Sequence, residues 1–131
     1  MKINILILSF LPVSLFADDN TVSPYSECYA MGISAEIREC MNEKMHEEKK
    51  HYEEAWTVFV DNARESEISQ LSLFERIAPV EKHKWENYLL EKCAMESTDF
   101  TEESYAYWTY YYQCMAMGYR EKHFYYLHYR F

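Results

Sequence analysis

Glycine and proline are nearly missing from this chain of 131 residues: it holds two glycines, Gly32 and Gly118, and three prolines, Pro12, Pro24 and Pro79. β-Sandwiches and barrels need frequent tight turns, which draw on those residues, so an all-β architecture is disfavoured. The same scarcity removes the phosphate-cradling loop and the GxSxG elbow. Basic residues are outnumbered, 13 Lys and Arg against 22 Asp and Glu, for a net charge of −9. Nucleic acid demands clustered Lys and Arg, so it is not an expected partner. The four cysteines form no CxxC pair, which argues against a thiolate metal site. No long apolar run follows residue 17, so no later segment is expected to cross a membrane.

What is present begins with an N-terminal export signature. Lys2 precedes an apolar run over 3–16, and Ala17 is a small residue placed before Asp18-Asp19. This pattern predicts a secretory signal peptide over 1–17, with a retained anchor as the alternative. Its removal takes one Lys and no acid, leaving 18–131 with a charge of −10. An exported chain of this length forms one domain, placed in the periplasm or secreted. There Cys28, Cys40, Cys93 and Cys114 are expected to form two disulfides, and all three pairings stay open.

The remaining pattern is helical, and the expected class is all-α: a small antiparallel three-helix bundle, up-down-up, with two disulfides. An irregular lead-in over 18–33 precedes a helical domain over 34–131. The first helix is predicted over 34–67, because Ile37, Cys40, Met41, Met45, Tyr52, Trp56, Phe59 and Ala63 recur at three- and four-residue steps. Leu71, Phe74 and Ile77 suggest a short turn before Pro79, which suits the start of a second helix over 79–96. Trp85, Leu89 and Cys93 stack on one side of it.

A third helix is predicted over 102–130, capped by Thr101 or Ser104. In 104–131, 12 of 28 residues are aromatic, yet three consecutive tyrosines break the alternation a strand requires. Helical phase puts Tyr107, Tyr111, Cys114, Gly118 and Tyr125 on the docking side, with Gly118 allowing close approach. Ala106, Thr109, Gln113, Ala116, Arg120 and His123 form a small or polar stripe on another side. The expected core residues are Trp56, Trp85, Leu89, Tyr107, Tyr111 and Gly118, together with Tyr88. Tyr110, Tyr112, Tyr119, Tyr126 and Tyr129 are surplus, and either face a partner or frame the core.

Catalytic signals are weak. His46 and His51 evoke HExxH, but five residues turn a helix by about 140° and separate the rings. His123 and His128 share that offset. No metal site, cofactor or catalytic residue is expected. Adjacent carboxylates such as Glu47-Glu48 and Glu102-Glu103 diverge on a helix, so the chain reads as a non-enzyme.

The cysteine framework resembles the bacterial LprI-type lysozyme inhibitor family, in its four-cysteine helical domain. The resemblance rests on C-x11-C at Cys28 and Cys40 with Glu36 four before the second Cys. It also rests on W-x2-aromatic-x4-C at Trp85, Tyr88 and Cys93, and on Cys114 followed by Lys122 eight residues later. It spans residues 28–127, with Trp56 at the position of a family aromatic. Leu89-Leu90 stand where the family carries Arg-Asp, and Lys82 where it carries Gln, so the fold transfers better than any one site. The resemblance implies an exported protein that blocks a basic lysozyme through protein–protein contact; the alternative is a non-inhibitory module binding another envelope component. The turn 97–104 is the first candidate contact segment, and the lead-in around Pro24 and Tyr25 the second.

Overall fold

A computed structural model describes residues 24–131, so the expected signal peptide lies outside the described residues. All regular elements among them are helical: α1 (Ser26–Tyr29), α2 (Ser34–Glu65), α3 (Leu71–Glu96), a 3-10 turn (Ser97–Asp99) and α4 (Tyr105–His128). The lead-in, expected to be irregular, thus carries one helical turn. The chain crosses from α2 to α3 with Glu67 at φ 49°, a left-handed position that glycine usually fills after a helix.

Pro79 lies inside α3 instead of opening it. The two turns before it stay helical because packing holds them: Phe74 meets Phe59 at 5.5 Å and Ala78 is buried. That burial offsets the loss of one helical hydrogen bond, and Pro79 sits on the exposed side where the freed carbonyl can meet water.

The sulfurs join Cys28 to Cys40 and Cys93 to Cys114, with Cα separations of 5.5 and 5.6 Å. The first bridge ties α1 to α2, the second α3 to α4. Arg38 meets Tyr105, Tyr52 meets Tyr119 and Phe59 meets Tyr126, so positions on α2 and α4 advance together. Along α3 the order reverses, with Phe74 near Phe59 and Trp85 near Tyr52.

Tyr52 sits at the centre of the main core, with Trp85 and Tyr119 each 5.2 Å from its ring. A second cluster gathers Tyr25, Cys28, Met41 and Ala116. Helix α4 docks on α2 through Met115, Ala116, Tyr119 and Tyr126. Ala116, expected on a small or polar stripe away from the core, is instead buried; Tyr119 and Tyr126, for which a partner-facing and a core place were both open, lie in the core with exposures of 5 % and 1 %. The physical reason is that α4 carries two apolar stripes offset by about one residue. Small groups, Thr109 and Ala116 on α4 with Ala55 and Ala63 on α2, are buried in the fold and permit close helix approach. The stripe through Cys114 and Gly118 faces α3 instead. A Cβ on Gly118 would lie 2.9 Å from Leu89 Cδ2 and closer still to Cδ1.

Tyr88, expected in the core, is 58 % exposed. It lies off the side of α3 on which Leu89 and Cys93 are buried, and lines a groove there. Trp56, Trp85 and Tyr111 are half-buried around the main core, and Tyr107 is half-buried, with its ring parallel to that of Tyr111. Tyr125, placed on the docking stripe by phase, is exposed.

One ion cluster enters the core. Lys82 Nζ contacts Glu86 at 2.6 Å and Glu53 at 3.1 Å and lies 5.0 Å over the Tyr52 ring. Tyr52 donates to Glu86 at 3.2 Å. Burial opposes the ammonium charge, but the hydrogen bonds that Lys82 donates to Glu86 and Glu53 outweigh it and hold the Lys82 pKa above the ordinary value.

Candidate functional site

The turn between α3 and α4 is built from local hydrogen bonds. Ser97 is buried and donates its hydroxyl to the Cys93 carbonyl at 2.7 Å, finishing α3 beside the Cys93–Cys114 bridge. Phe100 N–H donates to the Ser97 carbonyl at 3.1 Å, and Ser104 Oγ accepts from Tyr107 N–H at 3.1 Å, which caps α4. Between these anchors Thr98, Asp99, Phe100, Glu102 and Glu103 are exposed. Glu103 holds φ at 61°, a left-handed conformation that turns the chain sharply without a glycine.

This turn borders an aromatic ridge. Phe100 packs on Tyr110 at 5.5 Å. The Cys28–Cys40 bridge brings α1 alongside, where the Tyr29 hydroxyl bonds to Gln113. Burial, followed by the neighbouring Tyr110, raises the Tyr29 pKa. Tyr110 divides two grooves. One, of about 240 Å³, is lined by Tyr29, Ile37, Phe100 and Tyr105. The other, of about 320 Å³, runs between α3 and α4 beneath Tyr88, Lys92, Met117 and Glu121.

Carboxylates outnumber cations on this side, where Arg38 lies over the Tyr105 ring at 5.2 Å and pairs with Glu39 at 3.7 Å. Among the described residues Glu36, Asp99, Glu102, Glu103 and Glu121 make no ion pair. Lys92 is engaged by Glu96 at 2.9 Å, whose hydrogen bond raises the pKa of the amine. The surface therefore offers exposed aromatic faces next to uncommitted carboxylates, a combination suited to a basic, partly apolar protein surface. A larger groove of about 620 Å³ at the other end, between Trp56, Phe74 and Tyr125, has one acid, Glu81, already joined to Lys122 at 3.1 Å.

Of the two contact segments expected from sequence, 97–104 is exposed over 98–103, between buried Ser97 and half-buried Ser104, and Tyr25 is not exposed. Tyr25 is 2 % exposed, and its hydroxyl donates to Glu48 at 3.2 Å. Tyr110 and Tyr129 are exposed, Tyr112 is half-buried, and Tyr88 joins the surface group although it was expected inside. Residues with metal-ligating side chains also meet: Glu48 and His51 of α2 lie with His123 of α4. Offsets within one helix could not reveal this group, because its members come from two. Comparison of the chain with known protein families, with curated proteins and with solved structures finds no match in any of the three.

Proposed function

We propose that this is an exported binding protein that inhibits a basic lysozyme-type hydrolase by covering it with the ridge around Tyr110. The observation that carries this reading is the joining of exposed aromatics and uncommitted carboxylates on one side of the fold. Two disulfides hold that side, and such bridges fit an oxidising compartment, periplasmic or extracellular. Among the described residues no helix is long and apolar enough to cross a membrane. The three long helices form an up-down-up bundle in this reading, supported by the ascending pairs between α2 and α4 and the reversed order along α3. The LprI-type resemblance supplies the choice of lysozyme. The net charge of −9 supplies attraction toward a basic target over a screening length of about 8 Å at physiological salt.

The test is a cell-wall lysis assay with the oxidised protein. Inhibition should rise with dose and weaken at least about tenfold when Tyr110→Ala removes a central aromatic contact. Absence of protection against every lysozyme class at micromolar concentration would sink the reading. The second reading, a module for another envelope component, is favoured by the Trp56–Tyr125 groove, which lacks free carboxylates. Recovery of a stable non-lysozyme partner from envelope extract, lost on Tyr125→Ala but not on Tyr110→Ala, would select it.

A further inference from the structure

The two disulfides tie α1 to α2 and α3 to α4, and neither joins α2 to α4, the pair that buries Tyr52, Tyr119 and Tyr126. At that contact His51 and His123 approach with ring centroids 5.8 Å apart and planes at 45°. Glu48, one turn before His51, places Oε2 4.0 Å from His51 Nδ1. The ligand atoms of the three residues all lie within 4.8 Å of one another. Two imidazoles and one carboxylate form a donor set suited to a borderline divalent cation, and the mixture favours Zn²⁺ or Cu²⁺ over Mg²⁺ or Ca²⁺.

We propose that Glu48, His51 and His123 form a Zn²⁺ site that cross-links α2 to α4. Tetrahedral zinc with bonds of about 2.05 Å holds donor atoms about 3.3 Å apart. Closure from 4.8 Å is therefore a matter of about 1.5 Å, within reach of side-chain rotation. The carboxylate is already oriented. Tyr25, buried beneath it, donates to Oε1 at 3.2 Å and leaves Oε2 on the His51 side, the arrangement by which outer hydrogen bonds fix metal ligands. His51 keeps 45 % of its side-chain surface exposed against 15 % for Glu48, so an ion has a route in and a water can complete the coordination. Arg120 is an opposing cation on this side, with its guanidinium 5.8 Å over the Phe124 ring; His123 stacks on the same ring, with planes 6° apart.

The experiment uses the oxidised chain stripped with EDTA and titrated with Zn²⁺ in a calorimeter, together with thermal melts and Cu²⁺ electron paramagnetic resonance. One equivalent of Zn²⁺ should bind and raise Tm, and bound Cu²⁺ should show coupling to two imidazole nitrogens. His51→Ala and His123→Ala should each weaken Zn²⁺ binding at least tenfold, and Glu48→Gln should do so as well. Substituting the exposed His46 or His83 should leave affinity unchanged. If His123→Ala fails to fold, His123→Gln replaces it at similar volume. Affinity unchanged in any of the three ligand variants, a Cu²⁺ spectrum with a single nitrogen, or no Zn²⁺-dependent shift in Tm would each overturn the site.

Discussion

Alkaline pH should unfold this protein in one step, and the size of the effect follows from four side chains. Tyr25, Tyr52, Tyr119 and Tyr126 are all buried, none more than 5 % exposed. Burial is the main cause of a raised pKa in each, aided by Glu48 at Tyr25, Tyr126 at Tyr52, Glu86 at Tyr119 and Glu81 at Tyr126. Tyr25 and Tyr119 are pushed up to about 12. In the unfolded chain tyrosine ionises near pH 10. A group whose folded pKa is raised contributes stability that is intact below the unfolded pKa and is lost as pH rises through the folded value. At pH 11 each protonated tyrosine costs the folded state about 1.4 kcal/mol relative to the unfolded one. Four such groups cost about 6 kcal/mol at pH 11 and about 10 kcal/mol at pH 12, against a typical total of about 5–15 kcal/mol. The raised pKa values of Lys44, Lys82 and Lys92 act in the same direction.

The assay follows tyrosinate absorbance and far-ultraviolet circular dichroism together. Helix should collapse between about pH 11 and 12, coincident with a late rise in tyrosinate. The Tyr126 hydroxyl sharpens the test, because it is fully buried and makes no hydrogen bond, although Tyr52 stacks beside it. Tyr126→Phe removes both an ionisable group and an unsatisfied one. It should stabilise the neutral protein by about 1 kcal/mol and move the alkaline midpoint upward. Complete tyrosinate formation with intact helix, or a Tyr126→Phe variant that unfolds at lower pH, would refute the burial argument.

Two further predictions concern the packing. Closing loops with sequence separations of 12 and 21 residues should make each disulfide worth about 3 kcal/mol; denaturant melts with and without reductant check this, and identical curves would contradict it. Gly118→Ala gains about 1 kcal/mol of helix propensity but meets Leu89 at a packing cost of about 1–3 kcal/mol. In a Leu89→Ala background that clash is gone, so the same substitution should become stabilising, with a coupling of at least about 1 kcal/mol in a double-mutant cycle.

The extent to which the sequence discloses this structure differs from element to element. Helix α2 is legible because its buried residues, from Met41 through Tyr52 and Phe59 to Ala63, recur at helical steps among charged neighbours. Two disulfides were expected from cysteine number and export, but their pairing needed coordinates, since spacing leaves three choices. Helix α4 is apolar on several sides, so phase alone cannot tell which stripe meets α2 and which meets α3. Thr109 and Ala116 looked polar or small and therefore outward, whereas their small size is what lets the helices close. Pro79 misleads because proline is a good helix starter, and only the burial of Ala78 and the Phe74 contact reveal helix on both sides. His51 and His123 are 72 positions apart in sequence, and their meeting depends on helix register that no local motif encodes. Residues 98–103 are recognisable as exposed from their polar run, while Tyr88 beside the α3–α4 groove is not: it holds the aromatic position of the LprI-type pattern but lies off the side of α3 that buries Leu89 and Cys93.

The proposed function requires the acidic, aromatic face around Tyr110 to bind a basic lysozyme-type protein. The most direct measurement is the affinity of the oxidised protein for a panel of lysozymes of differing charge, at low and at high salt. Binding to basic members should weaken with salt through a slower association rate, and Tyr110→Ala should speed dissociation. No measurable binding to any member, or binding indifferent to both salt and Tyr110, would contradict it.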